Sequence, residues 1–290
     1  MNKKILIGAF ALMAIFGPSC DDHLDVNHDP NVLGELPDAS VVLPTAELNL
    51  ANTLMGWEFG FEGGFWSEYW TQTYDASQFK TLCQYETQSA SYAYNNLTAG
   101  VLMDLSTIKE MTAESSNKGL YYISEALSIY TWQMIVDMWG DVPYTEAMQG
   151  DKGIVSPVFD DAETIYGDLE TRIDALLAVD LSSSSVNGTY DVIFGGDLAK
   201  WKQFAASVKL KLMMRQSETS HYSAAATVSF IEANSFLTTK SCMIPASTWS
   251  NDQEGKRHPM MEYEKGGAGY LSQNVIACES FISYIATDPR

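Results

Sequence analysis

The chain has 290 residues and a formal net charge of −20, with 17 lysine and arginine residues against 37 aspartate and glutamate residues. So acidic a surface repels phosphate backbones, and nucleic acid is therefore excluded as an expected partner. The length suffices for one large domain or two modest ones.

Residues 1–19 have the pattern of a secretion signal. Two lysines precede an apolar run over residues 5–16, and small residues then lead to Cys20. The run is too short to span a bilayer, for which a helix needs about 20 residues. Cys20 is followed at once by two aspartates, and this order predicts a lipoprotein whose Cys20 carries a covalent diacylglycerol lipid. The alternative is an ordinary signal peptide that leaves Cys20 as a free thiol.

Residues 20–40 are predicted to form an extended, lipidated tether, because the segment is polar and contains Pro30, Gly34 and Pro37. The folded domain is predicted to occupy residues 41–290. Its three cysteines, Cys83, Cys242 and Cys278, allow at most one disulfide, and their wide spacing gives no disulfide framework.

Helical periodicity dominates the domain and predicts an all-α fold of antiparallel helical pairs with long loops. Helices are predicted over residues 41–54, 86–114, 118–139, 222–234 and 273–287, and two more begin after Asp160 and Asp197. Asp160, with Glu163 three residues later, resembles a capping box, and Asp197 is a predicted N-cap. Period-two alternation is scarce, so any sheet is expected to be small.

Three of these helices carry apolar stripes at spacings of three and four, which are typical of a buried helix face. The stripes comprise Leu120, Ile123, Leu127, Tyr130 and Met134 in the first helix, Ile165, Leu169, Ile173 and Leu176 in the second, and Trp201, Phe204, Val208 and Leu212 in the third.

One segment carries a recognisable signature, since the helix over residues 118–139 ends in Trp-Gly-Asp-Val-Pro-Tyr at residues 139–144. Leu-Asp-Val-Asn at 24–27, the lysine-rich helix after Gly196-Asp197, and Asp-Pro-Arg at 288–290 follow in order and spacing. Together these segments resemble the SusD/RagB family of outer-membrane lipoproteins, and the resemblance spans nearly the whole chain.

The resemblance implies a tetratricopeptide-like helical scaffold and a lipid anchor in the outer membrane, facing the cell exterior. It implies a binding protein, not an enzyme, that captures oligosaccharides or peptides and passes them to a SusC-like TonB-dependent transporter. Members of the family continue beyond the Asp-Pro-Arg segment, so the domain is expected to be incomplete at its C-terminus.

Ligand contact is predicted for aromatic residues that follow the first helix. Eight aromatic residues crowd into residues 57–74, with Gly56 just before them and three more glycines among them, and aromatic rings pack well on the C–H face of a sugar. The predicted ligand-binding residues are Trp66, Tyr69, Trp70 and Tyr74, of which the first three could share one helical face. The alternative is that these rings form part of the core.

No catalytic residue, metal site or cofactor besides the lipid is predicted. Asp137 and Asp141 flank a helix end and could serve as the acid and base of a glycoside hydrolase, but Asp141 lies in a turn, where carboxylates commonly accept backbone N–H bonds. Histidines lack metal-ligand spacing, and the acidic tether lacks a calcium-binding pattern. A surface glycoside hydrolase and a protein-binding helical adaptor remain the alternative functions.

Overall fold

The computed structural model describes residues 38–86, 89–237, 248–266 and 270–288, and Ala39–Arg290 form one compact unit. The predicted signal segment and Cys20 lie outside the described residues. Helices dominate the described part and confirm the all-α class: α1 Leu43–Leu54, α2 Glu62–Trp66, α3 Lys80–Cys83, α4 Ser91–Asn95, α5 Met103–Thr112, α6 Gly119–Trp139, α7 Ala162–Leu177, α8 Leu198–Arg215, α9 Ala224–Ala233, α10 Pro259–Gly266, α11 Tyr270–Asn274 and α12 Glu279–Ile285.

Shorter helical turns connect some of these helices. π-helical turns occupy Trp57–Phe61 and Asn96–Leu102, and 3₁₀ turns occupy Ala39–Val41 and Gly150–Lys152. The second π-helical turn joins α4 to α5, so a helix is continuous from Ser91 to Thr112, inside the predicted range 86–114.

A two-stranded antiparallel sheet links distant parts of the chain. β1, Trp70–Gln72, pairs with β2, Val275–Ala277, and Trp70 lies opposite Ala277. The predicted helix over residues 273–287 is therefore wrong as a single element, because three of its residues form β2 and separate α11 from α12. Pairing with a strand 200 residues away overrides the local helical pattern.

The main core lies around α6, which contacts α5, α7 and α8. A short loop over residues 113–118 joins α5 to α6, as in an antiparallel helical hairpin. The predicted stripes of α7 and α8 are fully buried. The stripe predicted for α6 is only partly correct: Ile123 and Leu127 are buried, whereas Leu120, Tyr130 and Met134 are partly exposed. Tyr122, Ile129 and Ile135, outside the stripe, are buried as well, so α6 is enclosed on several sides.

Of the two predicted helix caps, one is confirmed and one is wrong. Asp197 caps α8 as predicted, since its carboxylate accepts the N–H groups of Ala199 and Lys200. The cap of α7 is Asp161 and not the predicted Asp160: Oδ1 of Asp161 accepts the N–H groups at the second and third helical positions. The side chain of Asp160 is used elsewhere, in the turn that follows α6.

A buried carboxylate organises the start of α8. Asp191 is 2% exposed and accepts the backbone N–H groups of Ile193, Phe194 and Gly196. The indole N–H of Trp201 donates to the same carboxylate at 2.7 Å. Four hydrogen bonds to one buried anion fix the loop that leads into α8 against the first turn of that helix.

Glu47 connects this loop to α1. Its side chain is fully buried, and its Oε2 accepts the N–H of Val192 at 2.7 Å. Burial, together with the nearby charge of Asp191, raises the pKa of Glu47 to about 9. Glu47 is therefore protonated at neutral pH, and a protonated carboxyl can remain beside the Asp191 carboxylate without repulsion.

Candidate functional site

The signature over residues 139–144 forms a structural joint between α6 and α7. Gly140 ends α6 with a φ of +73°, a conformation that glycine adopts without strain. Val142 then forms a backbone bridge with Asp160, and the Asp160 carboxylate accepts the N–H groups of Tyr144 and Thr145 at 2.9 and 2.8 Å. These hydrogen bonds lower the pKa of Asp160. The joint thus holds the entry to α7 against the end of α6.

The two carboxylates considered for catalysis both have partners at this joint. Asp141 accepts the N–H of Ala162 at 2.9 Å, which confirms the turn interpretation. Asp137 forms an ion pair with Arg215 at 3.1 Å and accepts a hydrogen bond from the Tyr166 hydroxyl. Both side chains are therefore held by the helices around them, and the geometry favours a structural role.

Aromatic residues after α1 form a second, smaller hydrophobic cluster, which we call the aromatic cluster. Its buried members are Phe61, Phe65, Phe79 and Leu82, and partly buried residues packed against it include Trp57, Trp66 and Trp70. The rings of Phe61, Phe65 and Phe79 lie within 5.3 Å of one another, centroid to centroid. Most of the aromatic residues over residues 57–74 therefore pack into this small core.

The four predicted ligand residues divide between this cluster and the surface. Trp66 ends α2 and Trp70 begins β1, so they do not share one helical face with Tyr69 as predicted. The indole N–H of Trp70 donates to the Phe61 carbonyl at 3.1 Å. Tyr69 is 55% exposed, and Tyr74 is fully exposed. Their role in ligand binding stays a prediction.

Beside the aromatic cluster lies a cleft of about 240 Å³, which we call the aromatic cleft. Trp57 forms one wall, stacked on Phe61 at 4.4 Å between ring centroids, and Tyr263 meets Trp57 edge-on at 5.6 Å. Tyr92, which is 72% exposed, lines the cleft from α4. Three aromatic side chains from three separate segments therefore face one small volume.

Polar groups complete the lining of the aromatic cleft. Asn52, Glu58, Arg257 and Glu262 lie among its walls. Arg257 pairs with Glu262 at 3.0 Å and donates to backbone carbonyls of residues 251 and 252, which fixes the guanidinium. The Glu58 carboxylate accepts the backbone N–H of Ala93. Such a mixture of aromatic faces and oriented polar groups suits a small polyhydroxylated ligand.

A carboxyl group beneath the cleft orients its main aromatic wall. Glu62 Oε1 accepts the indole N–H of Trp57 at 2.9 Å. Burial raises the pKa of Glu62, while the hydrogen bond from Trp57 lowers it. The bond turns the polar edge of the indole toward α2.

The described residues also lack two features that would bear on the site. None of their helices combines the length and low charge needed to cross a bilayer. Among the same residues, no three His, Cys, Asp or Glu side chains converge in a way that could hold a metal ion. Cys83 and Cys278 are free thiols.

Comparison with known proteins decides the family. A family model described as "Starch-binding associating with outer membrane", SusD-like, matches residues 33–283. The chain belongs to the SusD/RagB family. The description is that of a binding family associated with the outer membrane. No curated protein sequence matches the chain.

Solved SusD-like structures share the fold. A SusD/RagB family protein from Bacteroides thetaiotaomicron has a TM-score of 0.68 at 18% identity and covers 87% of this chain. A SusD-like protein from Bacteroidetes has a TM-score of 0.67 at 18% identity over 87%, and a chitin-binding protein has 0.63 at 20% over 85%. The chain spans 49–53% of the length of these three structures.

The sequence prediction and the aromatic cleft share a segment but not the same residues. The prediction singled out the segment that supplies Trp57, but it chose Trp66 and Trp70, which pack in the aromatic cluster. Tyr92 and Tyr263 lie 35 or more residues away from Trp57 in the chain, and no local pattern marks them. Arg257 was missed for the same reason.

Proposed function

We propose that the chain is a surface-exposed lipoprotein of the outer membrane, anchored by a lipid on Cys20, that binds glycan or peptide nutrients without transforming them. It would pass these nutrients to a SusC-like TonB-dependent transporter. Family membership supports the outer-membrane binding role. The observation that carries the proposal for this chain is the aromatic cleft, where Trp57, Tyr92 and Tyr263 meet oriented polar side chains.

The size of the aromatic cleft suits a subsite for part of a glycan. Its volume of about 240 Å³ is below the roughly 300–1,000 Å³ of pockets that enclose a drug-sized ligand. A longer oligosaccharide would therefore extend beyond the cleft. Tyr69 and Tyr74, whose rings are exposed, are the predicted residues most open to such a ligand.

Binding to a panel of neutral oligosaccharides tests the proposal through Tyr92→Ala. The substitution removes an exposed ring from the cleft and is expected to weaken binding several-fold, since an aromatic contact contributes about 0.5–1.5 kcal/mol. Isothermal titration calorimetry on the full chain measures the change. Little loss of stability is expected because the ring is mostly exposed.

Tyr284→Ala is the matched control, because Tyr284 is 85% exposed and does not line the cleft. It is expected to bind as the wild type does. Equal affinities for wild type, Tyr92→Ala and Trp57→Ala, in folded protein, would show that the cleft does not bind glycan. Turnover of the oligosaccharide would instead support the glycoside hydrolase.

A further inference from the structure

A second pocket, of about 490 Å³, adjoins the signature joint, since Tyr144 is part of its lining. Helices α5, α6 and α7 form its walls, together with the loop after the signature. Its polar lining comprises Ser106, Lys109, Tyr121, Glu125, Ser128 and Arg172. We call it the cationic pocket. Its lining shares no residue with that of the aromatic cleft.

The charged groups that line the cationic pocket are two cations, Lys109 and Arg172, and one carboxylate, Glu125. Glu125 lies between two cations, at 2.9 Å from Lys109 and 2.6 Å from Arg172. The three side chains are only 10–23% exposed, so their charges are less screened than surface charges. Among the lining residues two cations thus face one carboxylate, and the next carboxylate, that of Asp168, accepts a hydrogen bond from the Tyr144 hydroxyl to which Arg172 donates.

Both cations keep donors that protein groups do not use. Arg172 donates through Nε to Glu125, through Nη1 to the Tyr144 hydroxyl at 2.6 Å and through Nη2 to Ser128 at 3.3 Å. A guanidinium has five N–H groups, so one on each Nη has no acceptor among the described residues. Lys109 donates to Glu125 and, at 3.5 Å, to Ser128. Its third N–H has no acceptor among the described residues either.

The rest of the lining offers hydroxyl groups and aromatic surface. Ser106 and Tyr121 contribute hydroxyls from α5 and α6, and neither makes a hydrogen bond within the described residues. Tyr144 forms an aromatic wall, and Trp132, which is only 5% exposed, packs edge-on against it at 4.8 Å between ring centroids. A pocket with unused cationic donors, free hydroxyls and an aromatic wall matches a ligand that has a carboxylate, several hydroxyls and an apolar face.

We propose that the cationic pocket binds a sugar carrying a single carboxylate, of the uronic acid class, with the carboxylate on the unused N–H groups of Lys109 and Arg172. The ring hydroxyls would meet Ser106 and Tyr121. A neutral sugar offers these unused cationic donors no negative charge, and a dianion brings a second negative charge toward Glu125 and Asp168. The inference rests on the proposed nutrient-binding function and names a ligand class for a second site.

Calorimetry with glucuronate, glucose and acetate tests this inference on the full chain. Glucuronate is expected to bind at least tenfold more tightly than either glucose or acetate, and more weakly in high salt. Lys109→Gln is expected to reduce the preference for glucuronate over glucose about tenfold. Lys109→Arg is expected to keep most of the preference, because the charge remains. The matched control is Lys202→Gln, an exposed lysine on α8, which should change nothing.

Glu125→Gln gives a change of opposite sign. It raises the net charge of the pocket lining by one unit, so glucuronate affinity is expected to increase several-fold, and thermal unfolding checks that the variant is folded. Equal binding of glucose and glucuronate by the wild type would overturn the inference, as would an unchanged preference in Lys109→Gln. Acetate binding as tight as that of glucuronate would show an anion site without sugar recognition and would also overturn it.

These experiments can reject the proposal for one site while supporting the proposal for the other. Tyr92→Ala is expected to leave glucuronate binding at the cationic pocket unchanged, because Tyr92 is not part of its lining. If Tyr92→Ala weakens neutral glycan binding while glucuronate shows no preference, the charged-sugar inference fails and the proposed function stands. If Tyr92→Ala has no effect while Lys109→Gln does, the aromatic cleft is the incorrect part.

Discussion

At the scale of single residues, two buried carboxyl groups link α1 to the loop that leads into α8. Glu47 and Asp191 lie side by side in the core, yet Asp191 accepts four hydrogen bonds and Glu47 accepts one through Oε2. The other oxygen of Glu47 is buried without a hydrogen-bond partner among the described residues. Because Glu47 is protonated when folded and ionised when unfolded near neutral pH, it couples stability to pH.

Glu47→Gln is expected to flatten that pH dependence. The folded state has a pKa of about 9 at Glu47, against 4.5 for the free group, so the folded state holds a proton that the unfolded state releases between these values. The contribution of Glu47 to stability is complete below the unfolded pKa and is lost as pH rises toward the folded pKa. Relative to Glu47→Gln, the wild type is expected to lose up to about 1.4 kcal/mol per pH unit between them.

Urea unfolding at pH 5 and pH 8 measures this difference. Glu110→Gln, at an exposed position on α5, is the control and should follow the wild type at both pH values. Parallel stability curves for wild type and Glu47→Gln would contradict a protonated Glu47 in the folded protein.

At the scale of elements, α2 and β1 depend on a glycine between aromatic rings. A Cβ added at Gly64 would lie 2.1 Å from Cε2 of Trp70, whereas one added at Gly63 meets no atom within 4 Å. Gly64→Ala is therefore expected to displace the Trp70 indole from the Phe61 carbonyl and to cost about 1–3 kcal/mol of stability.

Gly63→Ala is the matched control in the same helix. It is expected to be neutral or to stabilise by up to about 1 kcal/mol, since alanine restricts the unfolded chain. Urea unfolding followed by tryptophan fluorescence measures both variants, and Gly64→Ala should also shift the folded-state emission. Equal stabilities would mean that Trp70 does not pack on Gly64.

The sequence predicted correctly those features that depend on residues within a single helix. The stripes of α7 and α8 and the cap at Asp197 follow from spacing and chemistry within one helix, and the structure confirms them. Asp160 and Asp161 are chemically identical neighbours, and only the approach of the signature turn to Asp160 decides which one caps α7. β2 was missed because its hydrogen-bond partner lies near residue 70.

The candidate site was predicted less well than the fold. Aromatic composition indicated the segment after α1, but composition cannot show which rings pack inward. The packing of Phe61, Phe65 and Phe79 against Trp70 takes that ring into the aromatic cluster, while α4 and α10 bring Tyr92 and Tyr263 to Trp57. The cationic pocket was not foreseen, because Lys109, Glu125 and Arg172 come from three different helices.

At the scale of the whole molecule, the helical fold and the family agree. SusD-like structures cover 85–87% of the chain at 18–20% identity, so the fold persists while most side chains differ. The signature joint provides a physical reason for its sequence, since Gly140 ends α6 at a positive φ and Asp141 and Tyr144 make hydrogen bonds to residues of α7. A fold alone sets no ligand preference, which depends on the side chains that line a site.

Affinity purification of the tagged protein from detergent-solubilised outer membrane tests the central claim most directly. The wild type is expected to fractionate with the outer membrane. Mass spectrometry is expected to find a TonB-dependent barrel in an amount comparable to that of the tagged protein. Cys20→Ser, which lacks the lipid acceptor, should be lost from the membrane fraction. A folded, membrane-anchored wild type that brings down no such barrel would contradict the role of transporter partner.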